Sequence, residues 1–141
     1  MASKGTAQWQ GDLKGGSGTF AAGDAIKGSY SFKSRFEDGD GANPEQLIGA
    51  AHAACFSMAL SNALAEAGTP VGSVETTSVV TLRVVDGAPT ITKIELTTVG
   101  TVPGVDDAAF QAAAQDAKEN CPVSKALTGV PEMTLEASLA S

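Results

Sequence analysis

Two hydrophobic periods divide the chain. Val74, Thr76, Ser78, Val80, Leu82 and Val84 alternate with Glu75, Thr77, Val79, Thr81 and Arg83, the two-residue spacing of a strand in a run rich in β-branched residues. Asp86-Gly87 marks a turn, and Thr90 to Val102 supplies a second long strand, so an antiparallel hairpin is expected, ended by Pro103-Gly104. Met133, Leu135, Ala137 and Leu139 alternate again as a terminal strand. Near the start, Thr6 to Gln10 reads as a strand, the glycines at 15, 16 and 18 as a hairpin turn before Thr19 to Ala21, and Gly28 to Phe32 as a further strand. GGSG is no phosphate loop, because it lacks the Gly-Lys-Ser/Thr ending and no helix follows.

The second period is helical. Asn43 to Gly68 carries a start signal, a stop signal and almost no charge between them. Asn43 is a good N-cap, Pro44 suits the first helical position, Gln46 stands where a capping-box residue reaches back, and Gly68 followed by Pro70 ends the helix. Between Leu47 and Leu64 the polar residues are His52, Ser57, Ser61 and Asn62, so no face is clearly wet and enclosure by protein is expected. A membrane span is rejected: the segment is built on Ala, includes His52 and Asn62, opens with Glu45 and lacks flanking basic clusters. Before it, SRFEDGDGANP reads as a charged, glycine-rich loop. After the hairpin, Asp106 caps a helix from Asp107 to Glu119. Asn120-Cys121-Pro122 interrupts it, and a short helix restarts from Pro122 to Leu127, closed by Gly129.

At 141 residues the chain fits one domain, residues 1–141, large enough to bury a core. A net charge of −7 with no basic patch argues against a nucleic-acid partner. The N-terminus has no apolar run of signal-peptide type, which points to the cytoplasm. Two cysteines in a reducing compartment read as reactive thiols, inert buried thiols or a catalytic disulfide.

Local context ranks the two thiols. Cys121 precedes Pro122 at a helix start, where orphan N–H groups favour a thiolate, whereas Cys55, mid-helix among Ala and Phe56, has no such help from its own helix. For Cys55 to react a cation must reach it, and the candidates are His52, three residues back, and Arg35. Ten residues separate Glu45 from Cys55, about 15 Å of helix axis, too far for one site within one copy. Two such helices crossing antiparallel near Ala50 would bring Glu45 of one chain alongside Cys55 of the other, with Gly49, Ala50, Ala51, Ala53 and Ala54 allowing close approach. The geometry therefore suggests a twofold dimer with composite sites.

SRFEDGDGANPEQLIGAAHAACFSMAL, followed much later by ENCPVSKAL, resembles the osmotically inducible protein C and organic hydroperoxide resistance family, specifically its osmotically inducible branch. AQWQGDLKGGSGT and the VPGVD turn extend the resemblance over nearly the whole chain. It implies an α+β fold, mainly antiparallel sheets wrapped around two long helices in an intertwined homodimer with sites at the interface. It also implies a thiol peroxidase in which Cys55 is peroxidatic, Cys121 resolves it, and Arg35 and Glu45 form an ion pair at the site. The implied partners are a small organic hydroperoxide and a dithiol reductant, lipoyl-type or other; no cofactor, metal or membrane partner is expected from the residues.

The chemistry asks for these residue types. Attack on an O–O bond needs a thiolate, the departing alkoxide needs a positive charge beside it, and a guanidinium held by a carboxylate supplies one. Phe36, Phe56 and Met58 are apolar neighbours that would favour organic hydroperoxides over hydrogen peroxide. Each residue taken alone also has a plain structural reading: Cys55 and Cys121 as core thiols, His52 as a packed helix residue, Arg35 and Glu45 as a surface pair. Two rivals remain at this point, a Cys-His hydrolase or acyl transferase using Cys55 and His52, and a non-catalytic module binding a hydrophobic ligand. Zinc is weaker still, since two Cys and one His leave a tetrahedral site a ligand short unless a carboxylate joins.

Overall fold

A computed structural model of the chain describes residues 1–141. It is a mixed α+β structure whose contacts divide it into two compact units, Met1–Leu47 and Ile48–Ser141. The first carries an antiparallel meander of β1 (Gly5–Gln10), β2 (Ser17–Ala22) and β3 (Ile26–Tyr30). Gly18 lies opposite Trp9 in one register and opposite Tyr30 in the other, and with no side chain between them the two rings meet with centroids 5.4 Å apart. The stretch expected as a loop from Ser34 begins instead with a short helix, α1 (Phe32–Phe36), and the preceding strand stops at Tyr30. The signal was local: Ser31 Oγ accepts from the Ser34 N–H at 3.1 Å while Ser34 Oγ accepts from the Ser31 N–H at 2.8 Å, a reciprocal cap built from two serines three apart.

The long helix α2 runs Pro44–Glu66. Asn43 caps it, its Oδ1 accepting from the Gln46 N–H at 2.8 Å. Gly68 closes it at φ +91°: its N–H bonds Ala65 O, and the next N–H, Thr69, bonds Leu64 O, the paired return of a Schellman end that a left-handed glycine permits. By length and hydropathy α2 could cross a bilayer, yet only one of its faces is committed to the core. His52, Phe56, Leu60 and Leu64, spaced four apart, are buried. Gln46, Ala50, Ala54, Met58, Asn62 and Glu66, also spaced four apart, are exposed, with Met58 at 75%. The expected enclosure is thus not met within one chain.

In the second unit β4 (Ser73–Val85) and β5 (Ala88–Thr101) form the long antiparallel hairpin, turning at Asp86-Gly87 with both residues at positive φ. After α3 (Asp107–Asn120) and α4 (Pro122–Ala126), β6 (Glu132–Leu139) joins β5 in parallel, so this sheet is mixed, with β5 in its centre. Ile94 and Leu96 of β5 face Phe56, Leu60 and Leu64 of α2 and Phe110, Ala114 and Ala117 of α3 in one core that includes Cys121. Fully burying each large side chain contributes about 1.5–3 kcal/mol, so this core, rather than helix propensity, holds α2 and α3 in place. Gly49 belongs to this packing: a Cβ there would lie 2.9 Å from Ser78 O, so Gly49 serves the approach of α2 to β4 and not the exposed face assigned to it from sequence.

Candidate active site

Each compact unit carries one of the expected residue pairs. In the first, the capped turn of α1 presents Arg35, and Asn43 ties α1 to the start of α2 by donating to Ser34 O at 3.0 Å. Glu45, one residue into α2, receives the Arg35 fork: Nη2 at 2.8 Å and Nε at 3.1 Å donate to Oε1, and Nε also lies 3.3 Å from Oε2. The carboxylate is 7% exposed and the guanidinium 34%, so the acid is held in place while the cation keeps an open side. Arg35 also covers the Phe36 ring at 5.4 Å. Trp9, Leu13, Tyr30, Phe32, Arg35 and Phe36 line a cavity of about 230 Å³ whose wall is mostly aromatic. Of the apolar residues expected near the chemistry, Phe36 alone lines this cavity; Phe56 is fully buried in the core and Met58 is exposed.

In the second unit Cys55 and Cys121, both free thiols, are neighbours. Cys55 is half-buried and Cys121 fully so. Cys121 is the N-cap of α4, its sulfur accepting from the Ser124 N–H at 3.3 Å. The Val123 N–H, also in the first turn of α4, lies near enough to Cys55 to favour its thiolate, help that its own helix does not give. Its pKa is nonetheless raised: partial burial pushes it up most, the Val123 N–H pulls down, and the Cys121 thiol adds to the rise. The net direction is upward, against the thiolate that the sequence reading asked a cation to favour.

His52 does not supply one. It is fully buried, its pKa is lowered by burial, and its Nε2 lies 2.7 Å from Ser124 Oγ. Ser124 in turn accepts from the Cys121 thiol at 3.1 Å. A Cys55–His52 dyad is thus replaced by a His52–Ser124–Cys121 chain, which removes the base from the hydrolase reading. Ser124 escaped notice in the sequence, although its place at the third position of α4, three residues after an N-cap cysteine, is the spacing at which a polar side chain reaches back to a cap.

The family model for OsmC-like proteins matches residues 37–136. Peroxiredoxin OsmC of Escherichia coli (strain K12) is 49% identical over 140 residues, covering 98% of this chain and 96% of that protein. The chain belongs to the OsmC family. Within the family it is also similar to the organic hydroperoxide resistance protein of Xanthomonas axonopodis pv. citri (strain 306), 38% identical over 98 residues, which covers 69% of this chain and 67% of that one. Among solved structures it resembles the organic hydroperoxide resistance protein OhrB of Bacillus subtilis, with a TM-score of 0.71, 27% identity and coverage of 99% and 98% of the two chains. The OsmC-like fold agrees with the α+β expectation.

Proposed function

We propose that this OsmC-family protein is a cysteine-dependent peroxidase that reduces organic hydroperoxides and, more weakly, hydrogen peroxide, in oxidative and osmotic stress defence. The observation that carries the reading is the meeting of Cys55 and Cys121, far apart in the chain, as free neighbouring thiols with one half-exposed. The names of its relatives, a peroxiredoxin and organic hydroperoxide resistance proteins, support the same class. In the reaction, the Cys55 thiolate attacks the outer peroxide oxygen, the O–O bond breaks, and the alkoxide leaves to become the alcohol after taking a proton. Cys121 then attacks the sulfenic sulfur of Cys55, giving a disulfide and water before further oxidation can destroy the site. A dithiol, lipoyl-type being suited to it, reopens the bridge by exchange and leaves as its own disulfide.

Arg35, held by Glu45, supplies the charge that both the thiolate and the departing alkoxide need. Because Glu45 and Cys55 stand about 15 Å apart along α2, the reading places the Arg35–Glu45 pair of one protomer at the Cys55 of its partner in a twofold homodimer. The exposed Ala50 and Ala54 support this, being small enough for close helix approach, and exposed Met58 beside them adds apolar surface. The aromatic cavity beside Arg35 is of a size and character to take an apolar peroxide tail. We place the protein in the cytoplasm, without cofactor, metal or nucleic acid. Cumene hydroperoxide consumption with dihydrolipoamide as reductant tests the assignment: the wild type turns over and Cys55→Ser does not. Retained turnover in Cys55→Ser would sink it.

A further inference from the structure

Behind Cys121 stands a polar pair that the peroxidase reading leaves unused. Cys121, Ser124 and His52 are 1%, 3% and 0% exposed, and they form one line: thiol to Ser124 Oγ at 3.1 Å, Ser124 Oγ to His52 Nε2 at 2.7 Å. His52 occupies a position on the buried stripe of α2 where Phe56, Leu60 and Leu64 continue the series as apolar core. Its Nδ1 is buried without a partner, a desolvation cost that an apolar side chain would avoid. Packing alone gives no reason for an imidazole here. The order of donors does give one: with Ser124 accepting from the thiol, the serine proton points at Nε2, so the neutral imidazole ends the chain as its acceptor. If the sulfur loses its proton the chain reverses, His52 donating to Ser124 and the serine hydroxyl joining its own backbone N–H at the thiolate.

We infer that His52, acting through Ser124, is a positioning residue that takes the proton of Cys121 when this thiol resolves oxidised Cys55; the inference rests on the peroxidase reading. In that step the Cys121 sulfur attacks the Cys55 sulfenic sulfur, the S–S bond forms, the S–O bond breaks and hydroxide leaves. The thiol proton passes to Ser124 Oγ as the serine proton passes to His52 Nε2. Hydroxide takes up one proton to become water, and His52 gives up the one it received, so a thiol and a sulfenic acid yield a disulfide and water with no further oxidant or reductant. Burial favours the neutral imidazole beforehand. When a dithiol reopens the bridge, the same path run backwards reprotonates Cys121.

The test separates the two chemical steps. Reduced wild-type, His52→Gln, Ser124→Ala and Ser124→Thr proteins are each mixed with one equivalent of cumene hydroperoxide. Samples are quenched at intervals with a dimedone-type reagent, and mass spectrometry reads sulfenic acid and disulfide separately. Gln keeps the hydrogen bond but cannot hold the proton, Ala deletes the relay and Thr restores it. Sulfenic acid is expected at a similar rate in all four. Its conversion to disulfide is expected to slow by about a hundredfold or more in His52→Gln and Ser124→Ala and to recover in Ser124→Thr. Equal conversion rates in all four overturn the inference and leave the peroxidase reading standing. Slowing of both steps together, with a lowered melting temperature, marks a purely structural role and also overturns it; should Ser124→Ala fail to fold, His52→Gln carries the decision. A wild type that forms neither species removes the peroxidase reading itself, and this inference with it.

Discussion

Arg35 and Glu45 interact more strongly than an exposed pair because one partner is buried. Removing Arg35 strips Glu45, 7% exposed, of its donors. We expect Arg35→Ala to cost about 1–3 kcal/mol of stability, between the surface and fully buried cases, measurable by denaturant unfolding. The double variant Arg35→Ala/Glu45→Ala recovers most of that loss but none of the peroxidase activity, and recovery of both would show the pair to be structural only. His52 gives a pH prediction of its own. Burial lowers its folded pKa below the ordinary value of about 6.5, so the unfolded chain takes up the proton first. Stability from this residue is therefore complete above about pH 6.5 and declines as pH falls towards the folded pKa. Unfolding midpoints at pH 7.5 and 5.5 should differ more in the wild type than in His52→Gln, and equal differences would contradict the assignment. At this scale the nearness of Cys55 to Cys121 and the Arg35–Glu45 ion pair were legible, because the motifs carried them. Ser124 and the Val123 N–H were not, since what matters in them is where α4 begins relative to Cys55, a relation between distant segments.

Among the elements, the strands, the hairpin turn and the caps at Asn43, Gly68 and Asp106 follow from local chemistry and are found within a few residues of where the pattern puts them. The short α1 was hidden because five residues carry no measurable period and its cap uses Ser where Glu or Gln is usual. The parallel addition of β6 to β5 was equally out of reach, since alternation gives a strand its faces but not its neighbour. On α2 composition misled in an informative way. Ala is indifferent to its surroundings, so a uniformly apolar helix concealed one stripe committed to the core and another left bare. In the proposed homodimer the bare stripe would face the second protomer. Ala54→Glu should then leave the core nearly unchanged while shifting the wild-type dimer to monomer in sedimentation and abolishing turnover; a wild type that sediments as a monomer, or a charged variant that stays dimeric and active, would rule this face out.

For the whole molecule, the account makes one chain deliver two half-sites. The first unit holds a cation fixed on a carboxylate beside an aromatic cavity, and the second holds two adjacent thiols, the more exposed of them with its pKa raised by partial burial. In the proposed peroxidase the Arg35 of a second protomer would favour the Cys55 thiolate, whose pKa its own surroundings raise. Everything in this scheme depends on the two thiols being chemically joined. The measurement that addresses this most directly is mass spectrometry of the reduced protein after one equivalent of cumene hydroperoxide. The account predicts a loss of two hydrogens mapped to a Cys55–Cys121 bridge. An unchanged mass, with both thiols slow towards alkylation, would contradict it.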